Sequence, residues 1–485
     1  MTSVNYQPPI DYAQKSSSSP YYQYSKIQQK IGGLSVPITQ NNSTISYFDI
    51  PAQVYNLAQS FLQFNLTIPE IPAVNGNERA NGCLLNIPPI RSIRLANLAG
   101  LDVCRIDNFQ HYWKMTKNCI VSREDFAKYT PPGTGIAVVA AQSRGVTNFH
   151  NPANLITATA PATASLLNNS MILYTANDAT VSPDLAADAT TAYRGIFDRD
   201  MQIQTGTLSA DPNPGSAIIL YCHLEFGKIP FSFFNVNKDF FSTEALQLII
   251  EWEATNNWAY RHSAVNTLAG TAQSTVTPVL DNLALYLAVE MNEPVRQSVM
   301  SKVQSGGLQM TIPYSYLYQT NIGVNTAYAT NLKLNRAHGE RLLRIITALN
   351  YGALDTLSNR CNFSNGTGTF PQTYHTELDN KRLQTEELSN ISSDGFKYNL
   401  PKLKNSVLSN MIEYYFNSPV HIDDWSACDS LDQAPELDLT LCGMPLDKEL
   451  MYTHYITAKD ARQATVNMIA VTQKTLVSGP SGVQI

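Results

Sequence analysis

The stretch 283-LALYLAVEMNEPVRQSVMSKVQSGGLQMTIPYSYLY-318 holds the organisation of the whole chain in miniature. Leu283, Leu285, Leu287, Val289 and Met291 alternate with Ala284, Tyr286, Ala288 and Glu290, the period of two that marks a half-buried strand. Asn292-Glu293-Pro294 then reads as a helix start, with Val295, Val299 and Val303 on one face and Gly306-Gly307 as the stop. A new strand series begins at Leu308. A closing strand, a short helix and an opening strand predict a boundary between two β units at 293–307.

Upstream, Leu246, Leu248, Ile250 and Trp252 repeat the alternation, with only Ile249 breaking it, and a strand is expected over 217–226. Leu62, Phe64, Leu66 and Ile68 do the same nearer the start, and 90–98 fits another strand. Asn75-Gly76 and Asn81-Gly82 are turn signals between them. Phe109, Tyr112, Trp113 and Thr116 recur at helical spacing. Ser122 and Asp125 form a capping pattern leading to Phe126 and Tyr129 before Pro131-Pro132. From 130 to 216 the texture turns to Ala, Thr, Asn, Pro and Gly, too long for an idle loop. Residues 1–34 show no core-forming periodicity and read as an arm.

Downstream, strands are expected over 308–318, 327–334 and 341–349, then a loop-rich section over 358–393. Leu403, Val407, Leu408, Met411, Ile412 and Tyr415 predict a second long helix, opening just after Pro401 and closing before Pro419. Strands over 437–442, 449–456 and 464–477 follow, with a short turn-like tail at 479–485. The order strands, helix, strands thus occurs on both sides of the 293–307 linker. Two all-β units with one inserted helix each suit sandwiches lying side by side.

The 485 residues are too many for one ordinary core. Charged residues make up 15%, well below the globular average of ~25%. A polar but weakly charged surface suits packing against many neighbours, because charges are costly to desolvate; a neutral extracellular β protein has the same composition. Net charge is −6 with no basic stripe, which argues against sequence-independent nucleic-acid binding. Seven widely spread cysteines (83, 104, 119, 222, 361, 428, 442) without CxxC disfavour a disulfide framework or zinc site and fit reduced thiols. The N-terminus has no apolar run of signal-peptide type, and no apolar run reaches membrane-span length. Sequons at Asn65, Asn169, Asn362, Asn365 and Asn390 read as chance in an Asn/Ser/Thr-rich chain.

Candidate chemistry is sparse. Phosphate-loop and HExxH motifs are absent. His375-Thr376-Glu377 matches half of a zinc deaminase signature, but no PCxxC follows. Cys222 and His223 could be nucleophile and base, but as neighbours in a strand they should point to opposite faces. Asp423 and Asp424 could suggest a glycosidase pair; adjacent residues rarely face each other across a cleft, and a helix or turn N-terminus is the better account. Lys397, Lys402 and Lys404 beside Tyr398 read as a solvated helix start. No catalytic, cofactor-binding or metal residue is assigned, and no cofactor is expected.

Three stretches resemble the double jelly-roll major capsid proteins of the tectivirus–adenovirus lineage, nearest to virophages and polinton-like viruses. They are Lys228-Ile229-Pro230-Phe231 to Trp252, the polar segment from Tyr374 to Gln384, and the helix from Leu403 to Asn417 followed by Trp425. The resemblance covers most of 35–478 and is one of layout and texture. It implies an all-β fold of two consecutive eight-stranded jelly rolls, each with an inserted helix, and an elaborated tower loop in roll one. The layout is arm 1–34, roll one 35–292 with the tower at 130–216, linker helix 293–307, roll two 308–478 and tail 479–485. It implies a structural protein, not an enzyme, that forms pseudo-hexagonal homotrimers in an icosahedral virion capsid assembled inside the host cell. The implied partners are neighbouring trimers, penton and minor capsid proteins and often an internal membrane, with no direct sequence-specific nucleic-acid binding. A lectin-like or adhesive β-sandwich binding protein and a glycoside-active enzyme are the alternatives. Either should carry a signal peptide, paired cysteines, a calcium-type acidic loop or convergent titratable residues, and none is visible in the sequence.

Overall fold

The structure, a computed structural model, describes residues 20–30, 35–37, 44–68, 78–84, 89–120, 136–142, 172–174, 195–197, 202–204, 218–254, 259–263, 278–337, 339–351, 373–389, 394–403, 420–426 and 443–485. In chain order the first unit contains β1 (Tyr22–Gln28), β2 (Ser35–Pro37), β3 (Ile45–Ile50), β4 (Val54–Ile68), β5 (Glu78–Leu84), β6 (Ile90–Asn97), β7 (Asp102–Ile106), α1 (Phe109–Ile120), β8 (Ile136–Gln142), β9 (Ile172–Tyr174), β10 (Gly195–Phe197), β11 (Gln202–Gln204), β12 (Ile218–Glu225), β13 (Phe240–Phe241), β14 (Leu246–Trp252), β15 (Ala259–Ser263) and β16 (Val279–Glu290). Helix α2 (Glu293–Ser305) leads to the second unit: β17 (Leu308–Leu334), β18 (Arg341–Tyr351), β19 (Thr373–Leu378), β20 (Lys381–Arg382), β21 (Leu388–Ser389), α3 (Asp394–Leu403), β22 (Val420–Asp424), β23 (Met444–Pro445), β24 (Leu450–Gly479) and β25 (Gly482–Gln484).

Two sheets form the first unit. One runs β1-β16-β4-β12-β8, with β13 on β4 and β2 on β16; the other runs β3-β14-β6-β7. Their alternating apolar residues form the interior: Leu62 and Phe64 of β4 and Leu285 and Leu287 of β16 share a core with Phe48, Leu95, Leu248 and Ile250. Phe64 meets Trp252 edge-to-face at 5.3 Å, and the indole Nε1 donates to Ser46 Oγ at 2.8 Å. A smaller sheet, β11-β5-β15, and the pair β9–β10 complete the described strands of this unit.

The second unit is built on one very long hairpin. β17 and β24 pair antiparallel from Leu308↔Ser478 to Leu334↔Leu450, with register shifts between Ile322 and Ala327. β19 joins the first part of β24, at Thr457 to Tyr452, and β18 joins the later part, at Ala464 to Gln473. β22 adds to β18. The bulges let the same two strands bend and serve both leaves of a sandwich. Gly323 and Asn325, turn-type residues in the sequence, sit in the bulge, where the Tyr328 hydroxyl donates to Gly323 O at 2.7 Å and accepts from Asn325 N at 2.6 Å.

The units share one apolar core. On β18, Leu342, Ile345 and Leu349 face the interior of the second unit, while Leu343, Ile346 and Ala348 join the core of the first. On β24, Val466, Met468 and Ala470 face inward, and Ile469 and Val471 face the first unit. A strand buried on both faces is apolar along its length, and RLLRIITAL and VNMIAV read that way. Helix α2 packs Val303 against Val54 and Phe241, as its valine spacing predicts.

Several expectations change. The arm expected over 1–34 contains a strand, because β1 pairs along β16 from Tyr22↔Glu290 to Gln28↔Ala284. The insertion expected over 130–216 opens with β8, which pairs with β12 as the edge of the main sheet, so its first residues belong to the sandwich. The strands expected at 308–318 and 327–334 are one strand, as are those at 449–456 and 464–477. A helix not expected from the sequence, α3, covers Asp394–Leu403 and is tied to β22 by Asn399, whose side-chain oxygen accepts from Ile422 N at 2.9 Å. The tail folds back as β25 on β24. Met291, expected inside, is exposed and Glu290 is buried, and the register of β16 against β4 shifts between Tyr286 and Ala288. The capping pattern at 122–132, the helix over 404–417, the strand at 437–442 and most of 143–217 lie outside the described residues.

Candidate functional site

The described residues whose polarity most contradicts their burial lie between the leaves of the second unit, around β22. Alternation along this strand sends His421 and Asp423 to the interior and Ile422 and Asp424 to the opposite face. Asp423 therefore reaches across the sandwich. Its Oδ2 accepts from Thr376 Oγ1 on β19 at 2.7 Å and from Tyr452 OH on β24 at 2.8 Å; its Oδ1 accepts from Tyr398 OH on α3 at 2.8 Å. His421 Nε2 lies 3.1 Å from Oδ2, and Gln384 Nε2 donates to Oδ1 at 3.3 Å and to Thr376 Oγ1 at 2.7 Å.

Burial pushes the Asp423 carboxyl up, but the pull of His421 and the bonds from His421, Thr376 and Tyr398 outweigh it and hold the group at about 2. Burial pushes the Tyr398 and Tyr452 hydroxyls up, reinforced by the Asp423 charge, so both act as donors. His454 stacks on His421 at 6.0 Å and meets the Tyr374 ring edge at 5.7 Å. Neither of its ring nitrogens has a hydrogen-bond partner. Burial, with His421 nearby, lowers its pKa to about 3.

On the opposite face, Asp424 pairs with Arg344 of β18 at 3.3 Å, both side chains being buried, and with Lys402 of α3 at 3.5 Å. Arg344 Nη2 donates to Ser426 Oγ at 3.0 Å, and its guanidinium lies 5.3 Å from the Phe231 ring of the first unit. This ion pair therefore sits in the seam between units. Further along the seam, Tyr112 of α1 donates to Pro230 O and lies 2.9 Å from Ser315 Oγ of β17. Ser478 Oγ donates to Phe241 O at 2.5 Å. At the tail, Gly482 has φ +111 and a Cβ there would meet the Glu244 carboxylate at 2.5 Å, so glycine is required.

The structure thus gathers residues from three separate sequence fragments: Thr376, Tyr398 with Lys402, and Asp423 with Asp424. Asp423 and Asp424 lie in a strand, back to back, rather than at a helix or turn N-terminus, and no cleft lies between them. His375 and Glu377 flank Thr376 on the other face, 3.5 Å apart, with His375 stacked on Tyr455. Lys397 is exposed, and Lys404 lies outside the described residues. Cys222 and His223 point to opposite faces of β12: Cys222 into the core and His223 onto the Phe61 ring at 4.2 Å. Cys104 and Cys222 are buried outside any disulfide, and burial raises Cys104 to about 12. Sequence reasoning missed Arg344, His421, Tyr452 and His454.

Thr376, His421, Asp423, Tyr452 and His454 are each at most 2% exposed, while Tyr398, which also bonds Asp423, is half-buried. Among the described residues no group of three or more His, Cys, Asp or Glu side chains is placed to hold a metal ion. What the arrangement does is tie leaf to leaf and unit to unit.

No protein-family model matches the chain, and no curated protein matches it. Solved structures do. The Faustovirus major capsid protein superimposes with a TM-score of 0.51 at 9% identity, over 98% of this chain and 92% of that one. A chain of the Sputnik virophage gives 0.48 at 11% identity, over 96% and 88%, and the mavirus major capsid protein gives 0.47 at 10%, over 99% and 94%. The Faustovirus likeness is one of fold and puts this chain in the double jelly-roll class expected from its sequence.

Proposed function

We propose that this chain is the major capsid protein of a DNA virus, a structural subunit and not an enzyme, which self-assembles as homotrimers that tile an icosahedral shell. The observation that carries the reading is the pair of sandwich units fused through one apolar core, in a fold shared with the Faustovirus major capsid protein. Two similar units per chain give a trimer six similar corners, hence a pseudo-hexagonal outline, and heterologous contacts close into a ring when the rotation permits. The burial of Asp423, His421 and His454 agrees with a structural role, since an enzyme needs its charged groups within reach of substrate.

In this reading the arm comprises residues 1–34, roll one 35–292, the linker helix 293–307, roll two 308–478 and the tail 479–485. The 130–216 segment, beyond its first strand β8, rises as a tower on the outer face. Partners are neighbouring trimers, penton and minor capsid proteins and an internal membrane beneath the shell, and the protein resides in the virion. Negative-stain electron microscopy and light scattering of the purified chain test this. Hexagonal trimers or shells are expected; a stable monomer at micromolar concentration would refute it.

A further inference from the structure

At the rim of the first unit, a buried carboxyl and a half-buried one hold consecutive residues at the start of β1. Glu290, at the end of β16, accepts from Tyr21 N at 2.8 Å and from Asn292 N at 2.7 Å, both through Oε1. Asp239, just before β13, accepts from the Tyr22 hydroxyl at 2.7 Å, and that hydroxyl accepts from Asn56 Nδ2 of β4 at 3.0 Å. The Asp239 and Glu290 carboxyls are themselves within hydrogen-bonding reach. Glu290 is 0% exposed, and its Oε2 is buried with no donor. A buried carboxylate oxygen without a donor beside a second carboxylate is costly in both desolvation and repulsion.

One proton removes both costs. We propose that Glu290 and Asp239 share a proton, Glu290 Oε2–H donating to Asp239, and that this carboxyl–carboxylate pair is a pH-sensitive latch fastening β1 to the first roll. With the proton in place every polar atom of the pair finds a role: Glu290 Oε1 takes two backbone N–H groups, Oε2 donates, and Asp239 accepts from both Tyr22 and Glu290.

Among the described residues, the groups packed around the latch are mainly neutral or acidic. β1 contributes Tyr22, whose hydroxyl burial pushes up; Lys26 on the same strand lies over Tyr286 instead. β4 contributes the neutral Asn56 and the β13 approach the neutral Asn237, with exposed Lys238 preceding Asp239. At the start of α2, Glu293 pairs with Arg296 at 3.0 Å. Burial raises both carboxyls, and the Asp239 charge raises Glu290 further.

The sign follows. A carboxyl with a raised folded-state pKa stabilises the docked strand fully at low pH, and that contribution is lost as pH rises through the folded value. Acid therefore closes the latch and alkali opens it. β1 is the strand to respond, because five of its seven residues are exposed and it lies at the edge of its sheet. This inference stands apart from the capsid reading.

Hydrogen–deuterium exchange of the full chain from about pH 5 to about pH 9, normalised for intrinsic exchange, tests it. Protection of residues 20–30 should fall by as much as about tenfold per pH unit from about pH 5 up to the pair's own titration point and level off above it, while β14 stays unchanged. Glu290→Gln keeps the acceptor and supplies a permanent donor, so protection should become pH-independent at the acid level. Asp239→Asn, which still accepts from Tyr22 and can donate to Glu290, should do the same. A flat wild-type profile, protection that rises with pH, or an unchanged profile in variants that retain β14 protection would overturn the latch.

Discussion

In the first unit, Phe64 and Trp252 meet across an interior lined by Leu62, Leu95, Leu248 and Leu285, and the Glu290 and Asp239 carboxyls are at the rim. In the second, the corresponding space between leaves holds Asp423, His421, His454, Tyr452 and Thr376. An apolar interior is tolerant of small shifts, because dispersion and burial are non-directional. A hydrogen-bonded centre is not: each donor must meet its acceptor, so it fixes how the leaves register. The second unit has more need of this. Its leaves are made from one bent hairpin, whereas those of the first come from separate strands in two sheets.

Acid should act on the two units with opposite sign. The rim carboxyls of the first unit have raised pKa values and favour low pH. In the second unit His454 is held neutral at about 3, far below the ordinary histidine value of ~6.5, so the unfolded chain binds its proton first. Its contribution is therefore present above about pH 6.5 and is lost progressively as pH falls toward 3. Asp423, held at about 2, adds a further loss below about pH 4. The histidine shift corresponds to a loss on the order of 5 kcal/mol if fully traversed. Urea unfolding at a series of pH values should show the second unit weakening from about pH 6.5 downward. His454→Leu should flatten that slope down to about pH 4. A wild-type slope equal to that of the variant would break the comparison.

The seam offers a sharper test, because it joins the two interiors through a charge pair. Arg344→Ala leaves the buried Asp424 with Lys402 at 3.5 Å and the Ser426 N–H at 2.7 Å, without its buried cation, and should cost about 3–5 kcal/mol. The double change Arg344→Met with Asp424→Leu removes both charges from an apolar surround and should recover most of that loss. If the double variant is as unstable as the single one, the ion pair contributes through geometry that hydrophobic residues cannot replace. Chemical denaturation of the three chains decides between these.

How far the sequence carries depends on which force placed each element. β14 alternates cleanly because one face is core and the other is not, and its reading holds residue by residue. The valine spacing of α2 is equally legible. β16 has the same alternation on paper, yet its register against β4 shifts between Tyr286 and Ala288, and Glu290 lies inside. A bulge has no periodic signature, and Asn282, at φ 54, marks only the earlier shift between Asp281 and Ala284. The polar centre is less legible still. Asp423 draws donors from Tyr398, Tyr452 and Thr376, which lie 25, 29 and 47 positions away. Only the fold brings them together, so Asp423 and Asp424 could be seen as a pair but not as the two faces of one strand.

The smallest expected effect concerns the bend that distinguishes the second unit. β17 turns from one leaf to the other between Ile322 and Ala327, and Gly323 and Asn325 there read as a loop breaking two strands. What keeps the strand continuous is local: the Tyr328 hydroxyl accepts from Asn325 N at 2.6 Å and has Gly323 O at 2.7 Å and Asn325 O at 2.6 Å to share its one proton. The ring is only partly buried, so deleting the hydroxyl removes these bonds without opening a cavity. Tyr328→Phe should therefore cost about 1 kcal/mol or less globally, since the freed groups can turn to water. Its effect should concentrate in faster amide exchange over 322–327, with 308–318 unchanged. If exchange quickens equally along β17, the hairpin is one cooperative strand and the bulge is no hinge. If it quickens only at the bulge, the two halves of the hairpin serve their leaves independently, and the polar centre around Asp423 is what holds those leaves in register.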